Sequence, residues 1–260
     1  MYHASPATQA AAASGRAPGA ALDPAIGAAF TAAALGAYLL VPAVVPRDLG
    51  FIAAQAALVL VAVIAVIAVR APRPLAALGL RRARGAYWLA ALLIGVTAWY
   101  VNARLVALLP VPSEQTRKLE ALVDQPALLR ALATFAVLPA VCEELVFRGL
   151  LARSLGRHLT VPAAVVISAI VFALYHLSLV QALPTLSLGC LLAVIALRAD
   201  SILPTIAAHA INNAIAIVLS RHDLPPITRT LEAHPVIAFA ACVLATGSGL
   251  ALAIRAPRAA

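Results

Sequence analysis

Two adjacent carboxylates, Glu143 and Glu144, sit in the apolar run that begins near Pro126, inside the stretch Cys142-Glu143-Glu144-Leu145-Val146-Phe147-Arg148-Gly149. At the centre of a membrane helix each ionised carboxylate costs about 2.5–3.5 kcal/mol, so groups placed there need partners or a use. Glu144 and Arg148 are four residues apart, share a helix face and can pair. Glu143 lies about 100° round the helix and is the carboxylate left to act. Two more polar groups interrupt apolar runs further on, Phe172-Ala173-Leu174-Tyr175-His176 and His209-Ala210-Ile211-Asn212-Asn213. His209 and Asn213 project from one face and can act on one group, whereas Asn212 points elsewhere and packs or bonds between helices.

A carboxylate and two histidines on three helices can do one of two jobs. Glu143, His176 and His209 could ligate zinc or another divalent metal, with an open fourth position for water. Alternatively Glu143 activates water directly as a general base, with no metal. In either case Asn213 and one histidine would donate hydrogen bonds to the oxyanion formed at a peptide carbonyl. Both routes end in hydrolysis. The chain has no His-Glu-x-x-His helix, the most recognisable zinc signature.

The elements that must position these residues are membrane helices. Of 260 residues, 63% are hydrophobic and 11% charged, and the apolar ones fall in long runs, which excludes a soluble domain. The expected fold is all-α, a polytopic membrane protein of about eight helices. They run from about Ala25 to Val45, Gly50 to Val69, Ala86 to Leu109, Pro126 to Leu151, Val161 to Leu183 with a break at Pro184, on to Leu197, Ser201 to Leu219, and Pro235 to Ile254. Residues 1–24, rich in Ala, Ser, Gly and Pro, read as a disordered tail without the pattern of a cleaved signal peptide. Residues 25–255 form the transmembrane domain, and 256–260 a short basic tail. The mixed-charge segment Pro110–Gln125 reads as surface, with room for a short amphipathic helix. Cys142, Cys190 and Cys242 all fall in apolar segments with no pairing or ligand spacing and are expected to be free thiols.

Net charge is +9, and all but one of the 19 basic residues are arginine. They lie mostly between apolar runs, so topology accounts for them and nucleic-acid binding does not. Alternating the helices puts the loops with Arg70–Arg84, Arg153–Arg157 and Arg198, and both tails, on one face, which the positive-inside rule makes cytoplasmic. By helical rise Glu143 lies about 10 Å from the cytoplasmic end of its helix and His209 a similar distance, but His176 about 20 Å from Val161. Convergence therefore requires the fifth helix to tilt or to begin later.

Taken together, the three clusters resemble the signature of the CPBP family, the CAAX-protease and bacteriocin-processing intramembrane proteases, also called the Abi family. That pattern is Glu-Glu-x-x-x-Arg, Phe-x-x-x-His and His-x-x-x-Asn or Asp on successive helices. It occurs here in order at Glu143/Glu144/Arg148, Phe172/His176 and His209/Asn213, within a protease-like core of about 126–220. The resemblance implies an intramembrane endopeptidase in which Glu143 is the base or a metal ligand and His176 holds the same water or metal. His209 and Asn213 would polarise the scissile carbonyl, or His209 would complete a metal site, and Glu144, Arg148 and Phe172 would support the helices. The family is commonly labelled metalloprotease, yet its prenyl-protease branch has also been described as glutamate-dependent. The expected partners are the lipid bilayer and a peptide or protein substrate reached from the cytoplasmic side, with no nucleic acid. Prenylated C-terminal tails are the family's best-known targets. The Ala- and Arg-rich composition points to a high-GC bacterium and its plasma membrane, where leader-peptide maturation or self-immunity enters the range of roles. The alternative is a non-proteolytic transporter, or a scaffold or immunity protein that keeps the motif. A proton path would string ionisable groups across the bilayer. The first, second, third and eighth helices hold almost none in mid-membrane, which favours the protease.

Overall fold

The computed structural model describes residues 22–46, 49–109 and 113–258. Most of the expected tail at 1–24, and the last two residues of the basic tail, lie outside the described residues. The elements are α1 (Pro24–Leu40) with a 3-10 turn at Val41–Ala43, α2 (Gly50–Ala68), the short α3 (Pro74–Ala77), α4 (Gly85–Val106) and α5 (Ser113–Asp124). There follow α6 (128–155), α7 (Val161–Tyr175), α8 (Leu179–Ala199), α9 (Leu203–Ser220), α10 (Pro225–Ala233) and α11 (Pro235–Arg255). Among the described residues there is no strand. Local chemistry sets several starts. The Asp23 carboxylate accepts from the Ala25 N–H at 2.9 Å ahead of Pro24, and the Thr160 hydroxyl accepts from the Ala163 N–H ahead of Pro162.

Six helices among the described residues are long and apolar enough to cross a membrane: α1 with its 3-10 turn, α2, α4, α8, α9 and α11. The protein is an all-α, polytopic membrane protein. The other two helices of the expected eight correspond to α6 and α7, which differ in kind. α7 has 15 residues and rises about 22 Å, less than the roughly 30 Å of hydrocarbon. α6 is composite. It is α-helical at Leu128–Ala131, Leu138–Glu144 and Arg153–Leu155, and opens into wider π-helix at Leu132–Val137 and Leu145–Ala152, a rare form that is frequent at functional sites.

The expected break at Pro184 is not where the chain breaks. α7 ends at Tyr175, where His176 turns its Nδ1 back onto the Phe172 carbonyl at 2.9 Å and so satisfies one of the helix-end acceptors. Leu177 is left-handed (φ 48°) and Ser178 extended, after which α8 starts. Pro184 lies inside α8. Around it the Thr185 hydroxyl donates to the Gln181 carbonyl at 2.6 Å, and Asn102 Nδ2 to the Pro184 carbonyl at 3.5 Å.

The depth mismatch has a different source from the one expected. α6 runs on to Leu155 instead of ending at Leu151, which puts Glu143 about 18 Å from that end by α-helical rise, close to the depth of His176 at the end of α7. α9, for its part, begins inside the protein, since Ser201, Ile202 and Thr205 are fully buried. A clasp holds that buried start. Arg153 donates to Asp200 Oδ1 through Nε (3.0 Å) and Nη2 (2.8 Å), and to the Ala77 and Ala76 carbonyls. Arg81 reaches Asp200 Oδ2 at 2.6 Å, Ser201 donates to the Arg81 carbonyl at 2.6 Å, and the Ile202 N–H donates to the Gly79 carbonyl at 2.9 Å. Gly79 has φ 80°, a conformation glycine adopts without strain, and a Cβ there would crowd Arg153 and Ile202 at 3.1 Å.

The same clasp shows that the basic loops share a face. The described chain ends come to it too. Gly27 of α1 packs against Ser154, and the Tyr87 hydroxyl at the start of α4 donates to the carbonyls of Arg198, Ala256 and Pro257.

Candidate active site

α6 places Glu143 and Glu144 where α-helix passes into π-helix, and both are buried. The four-residue spacing brings Arg148 Nη1 to Glu144 Oε1 at 2.7 Å, while Arg148 Nη2 donates to the Gly189 carbonyl of α8 at 3.3 Å. The guanidinium is itself fully buried and stacks over the Phe172 ring, 4.2 Å from its centroid. A buried arginine whose charge meets a carboxylate, a carbonyl and a ring face is compensated from three helices.

α9 brings His209 to the same carboxylate. Its Nδ1 lies 3.0 Å from Glu144 Oε1, and because a carboxylate only accepts, Nδ1 carries the proton. That leaves His209 Nε2 facing Glu143 Oε2 at 3.9 Å. Sequence spacing assigned Glu144 to Arg148 alone. The structure adds a second role, a carboxylate that orients a histidine, which depends on how α9 packs on α6 and so has no local signature.

Phe172 links the two histidines. Its ring meets His176 edge-on at 4.9 Å and His209 edge-on at 5.9 Å, and it packs at 4.9 Å against Phe147. The phenylalanine of the Phe-x-x-x-His cluster therefore holds both imidazoles and the arginine by its edges and face. His176, with Nδ1 on the Phe172 carbonyl, has Nε2 remaining as its working nitrogen.

Two residues outside the expected set complete the surroundings of Glu143. Gln55, fully buried in α2, donates from Nε2 to Glu143 Oε1 at 3.2 Å, and the Tyr175 hydroxyl donates to the same oxygen at 3.4 Å. Tyr175 in turn packs on Tyr38 of α1, ring centroids 4.4 Å apart. Gln55 had one available signal, a single amide in the otherwise apolar Gly50–Ala68. The second oxygen of Glu143, that of Glu144, and Gln55 Oε1 are buried without a hydrogen-bond partner among the described residues.

Asn213 has partners of its own. Its Nδ2 donates to the Phe135 carbonyl in the first π stretch at 3.5 Å, and its Oδ1 accepts from Asn212 Nδ2 at 3.3 Å. The structure thus gathers Glu143, Glu144, Arg148, Phe172, His176 and His209 in one contact network, and ties Asn213 to the neighbouring π turn. All three cysteines are free.

Among the described residues no three His, Cys, Asp or Glu side chains are grouped so that they could hold an ion. Glu143 commits Oε1 to Gln55 and Tyr175, and His176 commits Nδ1 to its own helix, which leaves Glu143 Oε2 and His176 Nε2 as their open atoms. The arrangement suits water chemistry. An oxygen atom between Glu143 Oε2 and His209 Nε2 would lie within reach of both.

Residues 125–215 match the family model described as Rce1-like, type II CAAX prenyl endopeptidase Rce1-like. No curated protein and no solved structure matches the chain. The matched stretch runs from the turn before α6 into α9 and contains every residue of the three motifs. Over that stretch the chain is similar to the CAAX-protease family whose motif pattern it carries.

Proposed function

We propose that the protein is an intramembrane endopeptidase of CAAX type, in which Glu143 acts as general base on water. The observation that carries this reading is the division of labour within one carboxylate. Oε1 is held by two donors, and Oε2 is buried, unpartnered and 3.9 Å from His209 Nε2. Glu143 Oε2 takes a proton from water as the water oxygen bonds to the peptide carbonyl carbon. The carbonyl oxygen gains the negative charge, and His209, in its imidazolium form, donates to it from Nε2. Collapse re-forms the carbonyl, breaks the C–N bond and sends the proton from Glu143 to the leaving amine. Glu144 keeps the His209 ring in one orientation, as a buried acid does for a catalytic histidine elsewhere. His176 Nε2 is a further contact for the water, and the Asn213 amide, with a second N–H beyond the one given to Phe135, is a further oxyanion donor.

The positive-inside rule assigns the face of the arginine loops to the cytoplasm, with both described chain ends there. A peptide tail enters from that side. Prenylated C-terminal tails are the substrate class that the family description supports.

The test compares new peptide termini in membranes of cells expressing the wild type or Glu143→Gln at matched protein levels. Termini that depend on Glu143 are the expected result and identify the substrate. The same termini from both, with the variant folded, would overturn hydrolysis and favour the transport or scaffold role.

A further inference from the structure

We propose that Gln55 is a positioning residue for this chemistry, contributed by a helix that lies outside the matched stretch. The inference rests on the reading of Glu143 as the base. Gln55 is fully buried in the second turn of α2, 88 residues before Glu143, and its Nε2 donates to Glu143 Oε1 at 3.2 Å. A carboxylate with both oxygens free can rotate about its terminal bond and present either to water. Tethering Oε1 removes that freedom and keeps Oε2 turned to His209 Nε2. Tyr175 shares the tether at 3.4 Å but comes from the end of α7, next to the left-handed Leu177, whereas Gln55 sits within α2 between the buried Ala54 and Leu58.

Burial of the amide is the second observation. Gln55 Oε1 has no hydrogen-bond partner among the described residues, so the amide is poorly compensated as a purely structural group. Methionine or leucine would pack there with less penalty. An amide that satisfies only one of its two ends, and spends that end on the reactive carboxylate, is placed for the reaction more than for the helix pair.

The experiment compares three purified variants in bilayers: Gln55→Met, which keeps length and volume but removes the donor; Leu58→Met, a packing control one turn along the same buried face; and Glu143→Gln. Cleavage of a peptide with a farnesylated cysteine four residues from its C-terminus is followed together with the infrared carboxyl band of Glu143, obtained as the wild type minus Glu143→Gln difference. Gln55→Met should lower kcat by roughly ten- to a hundredfold, leave KM near the wild-type value and shift the band, and Leu58→Met should do neither. An unmoved band, or an equal loss of kcat in both methionine variants, would overturn the proposal. The failures separate cleanly. If no cleavage depends on Glu143, the hydrolytic reading falls, and the band still reports whether Gln55 holds the carboxylate.

Discussion

Two of the arginine–carboxylate networks among the described residues are built to different standards. In the clasp, both Asp200 oxygens are paired, and Arg153 adds two backbone carbonyls to its carboxylate. Around Glu144, one oxygen takes both Arg148 and His209 while the other takes neither, and the neighbouring Glu143 also keeps one oxygen unpaired. Asp200 is about a third exposed, at 35%, whereas Glu144 is at 0%. The partly wet network is saturated, and the dry one is not. Unpaired charge-bearing oxygens are least tolerable where water is excluded, so their presence in the dry network marks it as the place where something else must bind. The clasp holds helices together. On the proposed reading, the other network is left open for chemistry.

The largest effect should come from the open oxygen. Glu143→Gln is expected to reduce cleavage by about a hundred- to ten-thousandfold with the detergent melting temperature unchanged, because it keeps shape and the tether but removes the base. Arg148→Met should act on folding first. It leaves Glu144 with an uncompensated buried charge, costing about 3–5 kcal/mol, visible as loss of folded protein in membranes along with activity. Asp200→Asn should cost less, about 1–2 kcal/mol given its partial exposure, and the surviving folded protein should keep the wild-type kcat. A drop in kcat equal to the Arg148→Met loss would erase the distinction between the networks. The exposed Glu114–Lys118 pair of α5 sets the lower limit. Lys118→Ala should change stability by less than about 0.5 kcal/mol, measured by thermal unfolding.

The sequence made legible whatever depends on neighbours along one helix. The pairing of Glu144 with Arg148 follows from a four-residue spacing, and the helix starts at Pro24 and Val161 follow from Asp23, Thr160 and the prolines. Contacts between helices were not legible. Gln55 and His209 reach the glutamates across 88 and 65 residues, and no spacing rule connects them. The shift of the break from Pro184 to 176–178 falls between these cases. Proline is the stronger local signal, but the histidine side chain satisfied the helix end earlier, and the proline lies inside the next helix. Asn213 shares a face with His209 by arithmetic, yet the π turn at Leu132–Val137 offered its amide a nearer carbonyl.

The recessed start of α9 has a consequence for biogenesis. Its first turn is tied to residues around 79–81, some 120 positions earlier, and its histidine to a carboxylate 65 positions earlier. Helices enter a membrane in order of synthesis, so α6 arrives with Glu143, Glu144 and Arg148 before α9 exists to complete their surroundings. A nascent chain that stops short of α9 has the glutamates but not His209. On the proposed reading, peptidase activity would be withheld until α9 has been translated.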